Sequence, residues 1–387
     1  MKITHRVFAF AFLLLCASFV VFAFPPAASK PSNDSGYLAF VGTYTGKTGS
    51  KGIYAYDFDE KNGKLKRRGV AAETESPSWF VIHPNGKFAY AANEAGPNST
   101  ITSFSVDAKS AKLTQLNQKP ALGQDPCYLS FDKTGKYLLV ANYSSGNVVV
   151  FPISTDGTLG DATANVKNAG PLGPNKQRQE APHAHWIQVA PDNRYILVAD
   201  LGLDAILSYR FDPSKGTLTP NNPPSAKLNP GSGPRHVAFA PNGKYVYVIS
   251  ELSNTVTSFN YNAAQGTLFE FQILSTLPTD FSARNDDAEV VVHPNGKWLY
   301  ASNRGRDTIT VFSISSADGS LTHIGEFPTG GKEPRHFAID PTGQYLLAEN
   351  QNSNSIATFQ IDQTTGSLKQ VSIENDIPSP VCLTFLH

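Results

Sequence analysis

The chain has 387 residues, of which 32 are basic and 32 are acidic, so its formal net charge is zero. A neutral chain has no electrostatic field to attract nucleic acid or an anionic membrane surface, and we expect neither as a partner. Charged residues make up only 17%, whereas glycine (30 residues), proline (27) and aromatic side chains (11%) are plentiful, which is typical of many strands and turns with little helix.

The N-terminal residues form a segment unlike the rest of the chain. Lys2, His5 and Arg6 precede the apolar run Val7–Phe24, which only Ser18 interrupts. This order is that of an export signal. We therefore predict a cleaved signal at residues 1–29, a short linker at 30–36, and a periplasmic or secreted protein without stable membrane insertion. An uncleaved anchor is the alternative, because the apolar run approaches the length of a spanning helix.

The rest of the chain repeats one hairpin pattern. It is clearest in GPRHVAFAPNGKYVYVISE (Gly233–Glu251), where an apolar strand, the turn Pro241-Asn242-Gly243 and a β-branched, aromatic strand follow one another. The further copies are SWFVIHPNGKFAYAANE (Ser78–Glu94), CYLSFDKTGKYLLVANY (Cys127–Tyr143), HWIQVAPDNRYILVADL (His185–Leu201), AEVVVHPNGKWLYASNR (Ala288–Arg304) and RHFAIDPTGQYLLAENQ (Arg335–Gln351). Such a hairpin cannot bury a face by itself, so the repetition is informative.

The spacing of the hairpins predicts the fold. Their turn residues are 49, 58, 50, 53 and 47 residues apart, at Gly86, Gly135, Asn193, Gly243, Gly296 and Gly343. A third and a fourth strand, joined by a glycine turn, fill each interval. A period near ~50 residues with all-β content predicts the four-stranded blades of a propeller.

The two ends of the repeat region complete a further blade. Tyr37–Thr45 resembles a second strand without a first, and Pro380–His387 resembles a first strand without a second. Pairing them would close the ring and remove its open edges. We therefore predict an all-β, seven-bladed β-propeller with four-stranded blades, formed as a single domain by residues 37–387.

The repeat also predicts a site. The start of an innermost strand and the end of its antiparallel neighbour lie at the same face of the ring. These positions should gather six charged or titratable side chains at one mouth of the central channel: Glu94, His185, Arg235, Glu251, Arg304 and Arg335. His183 should lie nearby. Solvated strand ends, or pairs that hold a hairpin in register, are the alternative interpretation. Three arginines beside a histidine and a carboxylate in a concave site favour the interpretation that this mouth is a functional site.

Two other histidines and the two cysteines of the repeat region are predicted to pack in the fold and to have no functional role. Strand alternation should turn His236 and His336 away from the channel, so we expect them to pack between blades. A disulfide between Cys127 and Cys382 would have to cross the molecule, and both are predicted to be packed thiols. We expect no metal, because His183 lies two residues from His185 on an extended segment and the two point to opposite sides. We also expect no cofactor.

Several motifs together resemble the lactonase family of seven-bladed propellers, which includes bacterial 6-phosphogluconolactonases and the fungal carboxy-cis,cis-muconate cyclase. They are GSGPRH (Gly231–His236) with Glu251 sixteen residues after Arg235, PHAHW (Pro182–Trp186), ASNRG (Ala301–Gly305) and GTYT (Gly42–Thr45). The resemblance implies one catalytic histidine, two arginines and one glutamate.

These family residues match His185, Arg235, Glu251 and, as the second arginine, Arg304. Arg284 and Arg335 compete with Arg304 for the last role. We assign His183, Arg335, Glu94 and Arg284 to substrate binding.

The resemblance implies a hydrolase that opens a lactone, such as 6-phosphogluconolactone or a related sugar-acid lactone, by direct attack of water. Arginines would stabilise the oxyanion or hold an acidic group, while Glu251 and His185 would handle protons. Two alternatives stay open: an exported propeller that binds a carbohydrate or protein without catalysis, and an intramolecular lyase that forms lactones. An export signal does not fit a cytosolic enzyme, so the lactone, like the oligomeric state, is left open.

Overall fold

The computed structural model describes residues 36–386, and their regular structure is almost entirely β-strand. The strands are β1 (Tyr37–Thr43), β2 (Gly52–Asp59), β3 (Lys64–Glu73), β4 (Pro77–Ile82), β5 (Phe88–Asn93), β6 (Thr100–Asp107), β7 (Lys112–Pro120), β8 (Pro126–Phe131), β9 (Tyr137–Asn142), β10 (Asn147–Pro152), β11 (Ala164–Lys167), β12 (Ala184–Val189), β13 (Tyr195–Asp200), β14 (Ala205–Asp212), β15 (Thr217–Lys227), β16 (Pro234–Phe239), β17 (Tyr245–Ser250), β18 (Thr255–Asn262), β19 (Thr267–Ser275), β20 (Asp286–Val292), β21 (Trp298–Arg304), β22 (Thr308–Ile314), β23 (Leu321–Pro328), β24 (Pro334–Ile339), β25 (Tyr345–Asn350), β26 (Ser355–Ile361), β27 (Leu368–Glu374) and β28 (Pro380–Leu386). Short 3-10 turns occupy Gly46–Thr48, Gly96–Asn98 and Gln351–Ser353.

The strands form seven antiparallel sheets of four strands each, which are the blades of a propeller. Blade 1 has the order β28-β1-β2-β3, and blades 2 to 7 take β4–β7, β8–β11, β12–β15, β16–β19, β20–β23 and β24–β27. The predicted fold class is therefore confirmed. No helix within residues 36–386 is long and apolar enough to cross a membrane. The predicted signal and linker, residues 1–36, fall almost wholly outside the described residues.

The ring closes through blade 1, where the C-terminal strand is innermost. β28 pairs antiparallel with β1, with Leu386 opposite Leu38, Thr384 opposite Phe40 and Cys382 opposite Gly42. The pairing satisfies backbone groups that would otherwise form two exposed sheet edges. The first and the last strand thus share one blade, as the incomplete patterns at Tyr37–Thr45 and Pro380–His387 predict.

The second strand of each blade is covered on both faces by the neighbouring blades. Every residue of β13 is buried, and Val198 packs in a cluster with Ile187 of the same blade and Leu139 of blade 3. Full burial of each such side chain contributes about 1.5–3 kcal/mol to folding. Cys127 and Cys382 are free, buried thiols, as predicted, and burial raises the pKa of both.

The innermost strand of every blade carries a β-bulge near its start. In β16, Pro234 pairs with Ser250 and His236 with Ile249, so Arg235 is the extra residue. The same shift leaves His185 unpaired in β12 and Arg335 in β24. A bulge interrupts the alternation of side chains between the two faces of a strand.

The bulges overturn one expectation. His236 and His336 were expected between blades, but they lie in the central channel. The ring of His236, on blade 5, is 5.4 Å from Trp79 of blade 2 and 5.1 Å from Tyr128 of blade 3, measured between ring centroids. The ring of His336 is 5.1 Å from the same Trp79. Side chains from blades so far apart in the ring meet only if they point toward the ring axis, and the bulge turns the two histidines in that direction.

Candidate active site

A cavity of ≈ 340 Å³ opens at one mouth of the central channel and receives at least one residue from each of the seven blades. Its lining consists of Tyr44, Glu94, Cys127, Tyr143, Arg178, His185, Glu251, Arg304 and Arg335. Five residues predicted for this mouth are among them. A sixth, Arg235, lies next to the cavity and contacts Glu251.

The hairpin of blade 5 brings Arg235 and Glu251 together. Arg235 is the bulged residue near the start of β16, and Glu251 directly follows the end of β17. The backbone N–H of Glu251 donates to the carbonyl oxygen of Gly233 at 2.8 Å, which holds the two ends side by side. The tight turn at the far end requires a left-handed residue, and Gly243 adopts it with φ of 68°.

Three arginines surround the carboxylate of Glu251. Its Oε2 lies 3.1 Å from Arg235 Nε and 3.0 Å from Arg304 Nη2, and its Oε1 pairs with Arg178 Nη2. The Arg235 contact is an ion pair without hydrogen-bond geometry. Burial by itself would raise the pKa of Glu251, but Arg304 and Arg235 outweigh burial and hold it far below its usual value. Glu251 is therefore a carboxylate throughout the neutral range.

His185 is held in the opposite state. It is 5% exposed, and burial together with the charge of Arg235 lowers the pKa of its imidazole well below 6.5. The Nδ1 atom lies 3.8 Å from Cys127 Sγ, whereas Nε2 makes no hydrogen bond to any residue that the structure describes. His185 is thus a neutral imidazole with one uncommitted nitrogen beside the arginine cluster.

Arg335 supplies a positive charge without a carboxylate partner of its own. Its guanidinium lies over the Tyr44 ring, 5.4 Å from the centroid, and forms no ion pair within residues 36–386. The Tyr44 hydroxyl instead donates to Glu94 Oε2 at 2.8 Å. A guanidinium that lines a cavity and lacks a partner can bind an anion.

The repeat pattern could not predict Arg178. It lies between β11 and β12, in the connection between blades 3 and 4. This connection belongs to the longest interval between hairpin turns, and its extra length is the available signal. The adjacent Gln179 fixes this segment, since its Nε2 donates to the Leu201 carbonyl at 2.8 Å and to Asp204 Oδ1 at 2.7 Å. Arg178 is thereby presented to Glu251 and also lies 3.8 Å from Asp286 Oδ1.

Two predicted substrate-binding residues lie outside the cavity lining. His183 stacks on Tyr143 with ring centroids 4.5 Å apart, and its Nδ1 contacts the Tyr143 carbonyl at 3.0 Å, so it supports the wall. The side chain of Arg284 is 87% exposed and pairs with Asp286 at 2.7 Å. Of the three candidates for the second catalytic arginine, Arg304 is the one that contacts Glu251.

Within residues 36–386, no group of three or more His, Cys, Asp or Glu side chains is arranged to hold a metal ion. The ionisable groups gathered at this mouth include one imidazole, one buried carboxylate and four guanidinium groups: His185, Glu251, Arg178, Arg235, Arg304 and Arg335.

Comparison with known proteins agrees with this architecture. Residues 38–385 match the model of the family described as Lactonase, 7-bladed beta-propeller. The chain is 36% identical over 351 residues to the 6-phosphogluconolactonase of Bacillus subtilis (strain 168), covering 91% of this chain and 99% of that protein. It is 34% identical to the 6-phosphogluconolactonase of Formosa agariphila, covering 78% and 86%. The structure of the periplasmic gluconolactonase of Pseudomonas aeruginosa superposes with a TM-score of 0.86 at 32% identity, covering 91% and 99%. The chain belongs to the lactonase family of seven-bladed β-propellers.

Proposed function

We propose that this protein hydrolyses a sugar-acid lactone that carries an anionic group, using water activated by His185. The relatives named 6-phosphogluconolactonase and gluconolactonase support the reaction class. One observation carries the mechanism: an uncharged imidazole nitrogen faces a cavity in which arginines outnumber carboxylates.

His185 is the general base in this proposal. Its Nε2 is free to accept a proton from water, and its depressed pKa keeps the imidazole in the accepting form at neutral pH. Glu251 is a poorer base, because three guanidinium groups occupy its oxygens and depress its pKa. We assign Glu251 the role of holding the arginines in place. General base catalysis of this kind contributes roughly 10²–10⁴ in rate.

The arginines stabilise the charge that develops during attack. The water oxygen bonds to the lactone carbonyl carbon, and the carbonyl oxygen becomes an oxyanion beside Arg304 and Arg235. Collapse of this intermediate breaks the ring C–O bond. The proton that His185 accepted then passes to the departing ring oxygen, which leaves a hydroxy acid and restores the neutral imidazole.

The charge of the cavity favours an anionic substrate. Arg178, Arg235 and Arg304 share Glu251, and Arg335 has no ion-pair partner within residues 36–386. A phosphate or carboxylate on the lactone would supply the missing negative charge to Arg335 through a bidentate contact. A phosphorylated lactone fits this requirement. We also propose that the protein is exported, and an export signal does not fit a cytosolic enzyme; export therefore favours a carboxylated lactone.

The test is a lactone screen. Purified protein is mixed with gluconolactone, 6-phosphogluconolactone and carboxylated lactones, and acid release is followed with a pH indicator above the spontaneous rate. We expect hydrolysis of at least one lactone, a higher kcat/KM for anionic ones, and loss of the rate in Arg235→Gln. Failure to accelerate any lactone would favour the binding-protein alternative. Release of a lactone from an unsaturated acid would favour the lyase.

A further inference from the structure

A buried polar cluster lies in the central channel and contains none of the residues given a role in the reaction above. It consists of His236, Glu289, His336 and Glu349, from blades 5, 6 and 7, and all four are buried. Burying four ionisable groups in a channel costs free energy unless each is well paired. Their hydrogen bonds and ion pairs therefore indicate the role of these buried groups.

The cluster contacts Arg235. Arg235 Nη1 donates to the Ala288 carbonyl at 2.7 Å and lies 3.3 Å from His236 Nε2. Because a guanidinium can only donate, Nε2 of His236 must be the acceptor. Both N–H groups of Nη1 are then used, and Nε faces Glu251 Oε2 at 3.1 Å.

Glu289 fixes the tautomer of His236. The backbone N–H of Val290 donates to Glu289 Oε1 at 3.0 Å, so this oxygen is an acceptor. His236 Nδ1 lies 3.0 Å from both Oε1 and Oε2. Because Nε2 accepts from Arg235, the hydrogen of the neutral imidazole lies on Nδ1, which donates to Oε1; this oxygen accepts even though burial raises the pKa of Glu289 to about 8. The acceptor facing Arg235 and the donor facing Glu289 require the same neutral tautomer, which agrees with the strongly lowered pKa of the imidazole that burial and Arg235 cause.

The repeat provides an internal comparison. Pro234-Arg235-His236 recurs as Pro334-Arg335-His336 in blade 7. There, His336 Nδ1 contacts Glu349 Oε2 at 2.6 Å and accepts from the Leu383 N–H at 3.3 Å, while its Nε2 faces Glu289 Oε2 at 3.6 Å. The guanidinium of Arg335 makes no hydrogen bond with His336 and lies over Tyr44. The same tripeptide thus links histidine to arginine in one blade only.

We infer that His236 and Glu289 are positioning residues for the reaction: Glu289 holds His236 in the Nδ1–H tautomer, and His236 Nε2 fixes the guanidinium of Arg235 toward Glu251 and the substrate. This inference rests on the proposed function, because it gives Arg235 a role in stabilising the oxyanion. It gives His236 and Glu289 the role of fixing the position of the Arg235 guanidinium in the transition state.

The test uses two amides that resemble different halves of an imidazole. Gln reaches the place of Nε2 and can accept from Arg235, whereas Asn reaches the place of Nδ1 and can only serve Glu289. We expect His236→Gln to keep kcat within about threefold of the parent. His236→Asn should lower kcat at least about tenfold with KM little changed, as for loss of one hydrogen bond to a charged group that matters in the transition state.

His336→Gln and His336→Asn are the matched controls, since they alter the same repeat position without touching an arginine. We expect these two to differ from each other by less than about threefold in kcat. Equal kcat for the two His236 variants, or the same Gln–Asn difference at His336, would overturn the inference. Thermal melting checks that each variant folds.

A second variant keeps the inference testable if the His236 variants do not fold. Glu289→Leu removes both oxygens, so Nδ1–H has no acceptor and the imidazole is no longer held in the tautomer whose Nε2 accepts from Arg235; kcat should again fall at least about tenfold. Glu289→Gln, whose amide oxygen can still accept from Nδ1–H, should retain more activity than Glu289→Leu. Full activity of a folded Glu289→Leu protein would refute the inference. If Arg235→Gln is itself fully active, the proposed function fails instead.

Discussion

Arg235 and Glu251 are sixteen residues apart in the sequence, yet Arg235 Nε lies 3.1 Å from Glu251 Oε2. Arg235 is 2% exposed and Glu251 is 4% exposed, so the pair is removed from water. Burial and the neighbouring arginines lower the pKa of Arg235 to about 9, which still leaves it charged at neutral pH. Removing Glu251 would leave the buried charge of Arg235 without compensation, whereas removing Arg235 would leave Glu251 paired with Arg178 and Arg304.

Replacement of Glu251 by Gln should affect both activity and stability. The amide keeps the shape but removes the charge that holds Arg178, Arg235 and Arg304 together, so the guanidinium groups repel one another. Because the arginines beside the oxyanion are then misplaced, we expect kcat to fall by roughly 10²-fold or more. The free energy of unfolding should fall by about 3–5 kcal/mol. Steady-state kinetics and urea unfolding measure the two effects, and parental values in both would contradict the role of Glu251.

Arg178→Gln and Arg284→Gln form a matched pair, because both arginines contact Asp286 but only Arg178 reaches Glu251. We expect Arg178→Gln to lower kcat/KM roughly tenfold or more through the lost charge-assisted contact. Arg284→Gln should change it less than about twofold, since its ion pair is exposed. If the Arg284 variant were the more damaged of the two, the assignment of Arg178 to the site would be wrong.

The pH dependence of hydrolysis should report the neutral state of His185. Its pKa is lowered in the folded protein, so the accepting form is fully present above pH 6.5 and is lost only as the pH falls through that depressed value. We expect kcat/KM to be constant between about pH 7 and 8, after subtraction of spontaneous hydrolysis, with its acid limb well below 6.5. An acid limb centred at or above 6.5 would point to another base.

Deletion of Val381–His387 should sharply lower the melting temperature. It removes most of β28, the innermost strand of blade 1, and leaves β1 with an unpaired edge facing the channel. Differential scanning calorimetry of the truncated and the full-length protein makes the comparison. An unchanged melting temperature would mean that the pairing of the chain ends contributes little to the ring.

Export remains a prediction from the sequence, since it depends on residues outside those that the structure describes. Protein isolated from its own host should begin between Phe24 and Asn33. N-terminal sequencing of the periplasmic or secreted fraction gives this directly. Recovery of an intact Val7–Phe24 in a membrane fraction would instead establish the anchor.

The amino-acid sequence alone determined the number of blades, the closure of the ring and the mouth at which the site lies. Each hairpin can be recognised locally, for example by the turn at Gly243 and the apolar strands beside it. The number and spacing of the hairpins then give the number of blades in the ring. Antiparallel pairing then places Arg235 opposite Glu251.

Only the tertiary structure decided which side chains share that mouth and how they are charged. Simple strand alternation does not take the bulge at Arg235 into account, so it gave the wrong direction for His236 and His336. Arg178 lies in a non-repeated segment, and its contact with Glu251 joins blades that the sequence does not relate. Burial beside four guanidinium groups sets the protonation of His185 and Glu251, because desolvation and Coulomb interactions depend on distances that exist only once the ring is closed.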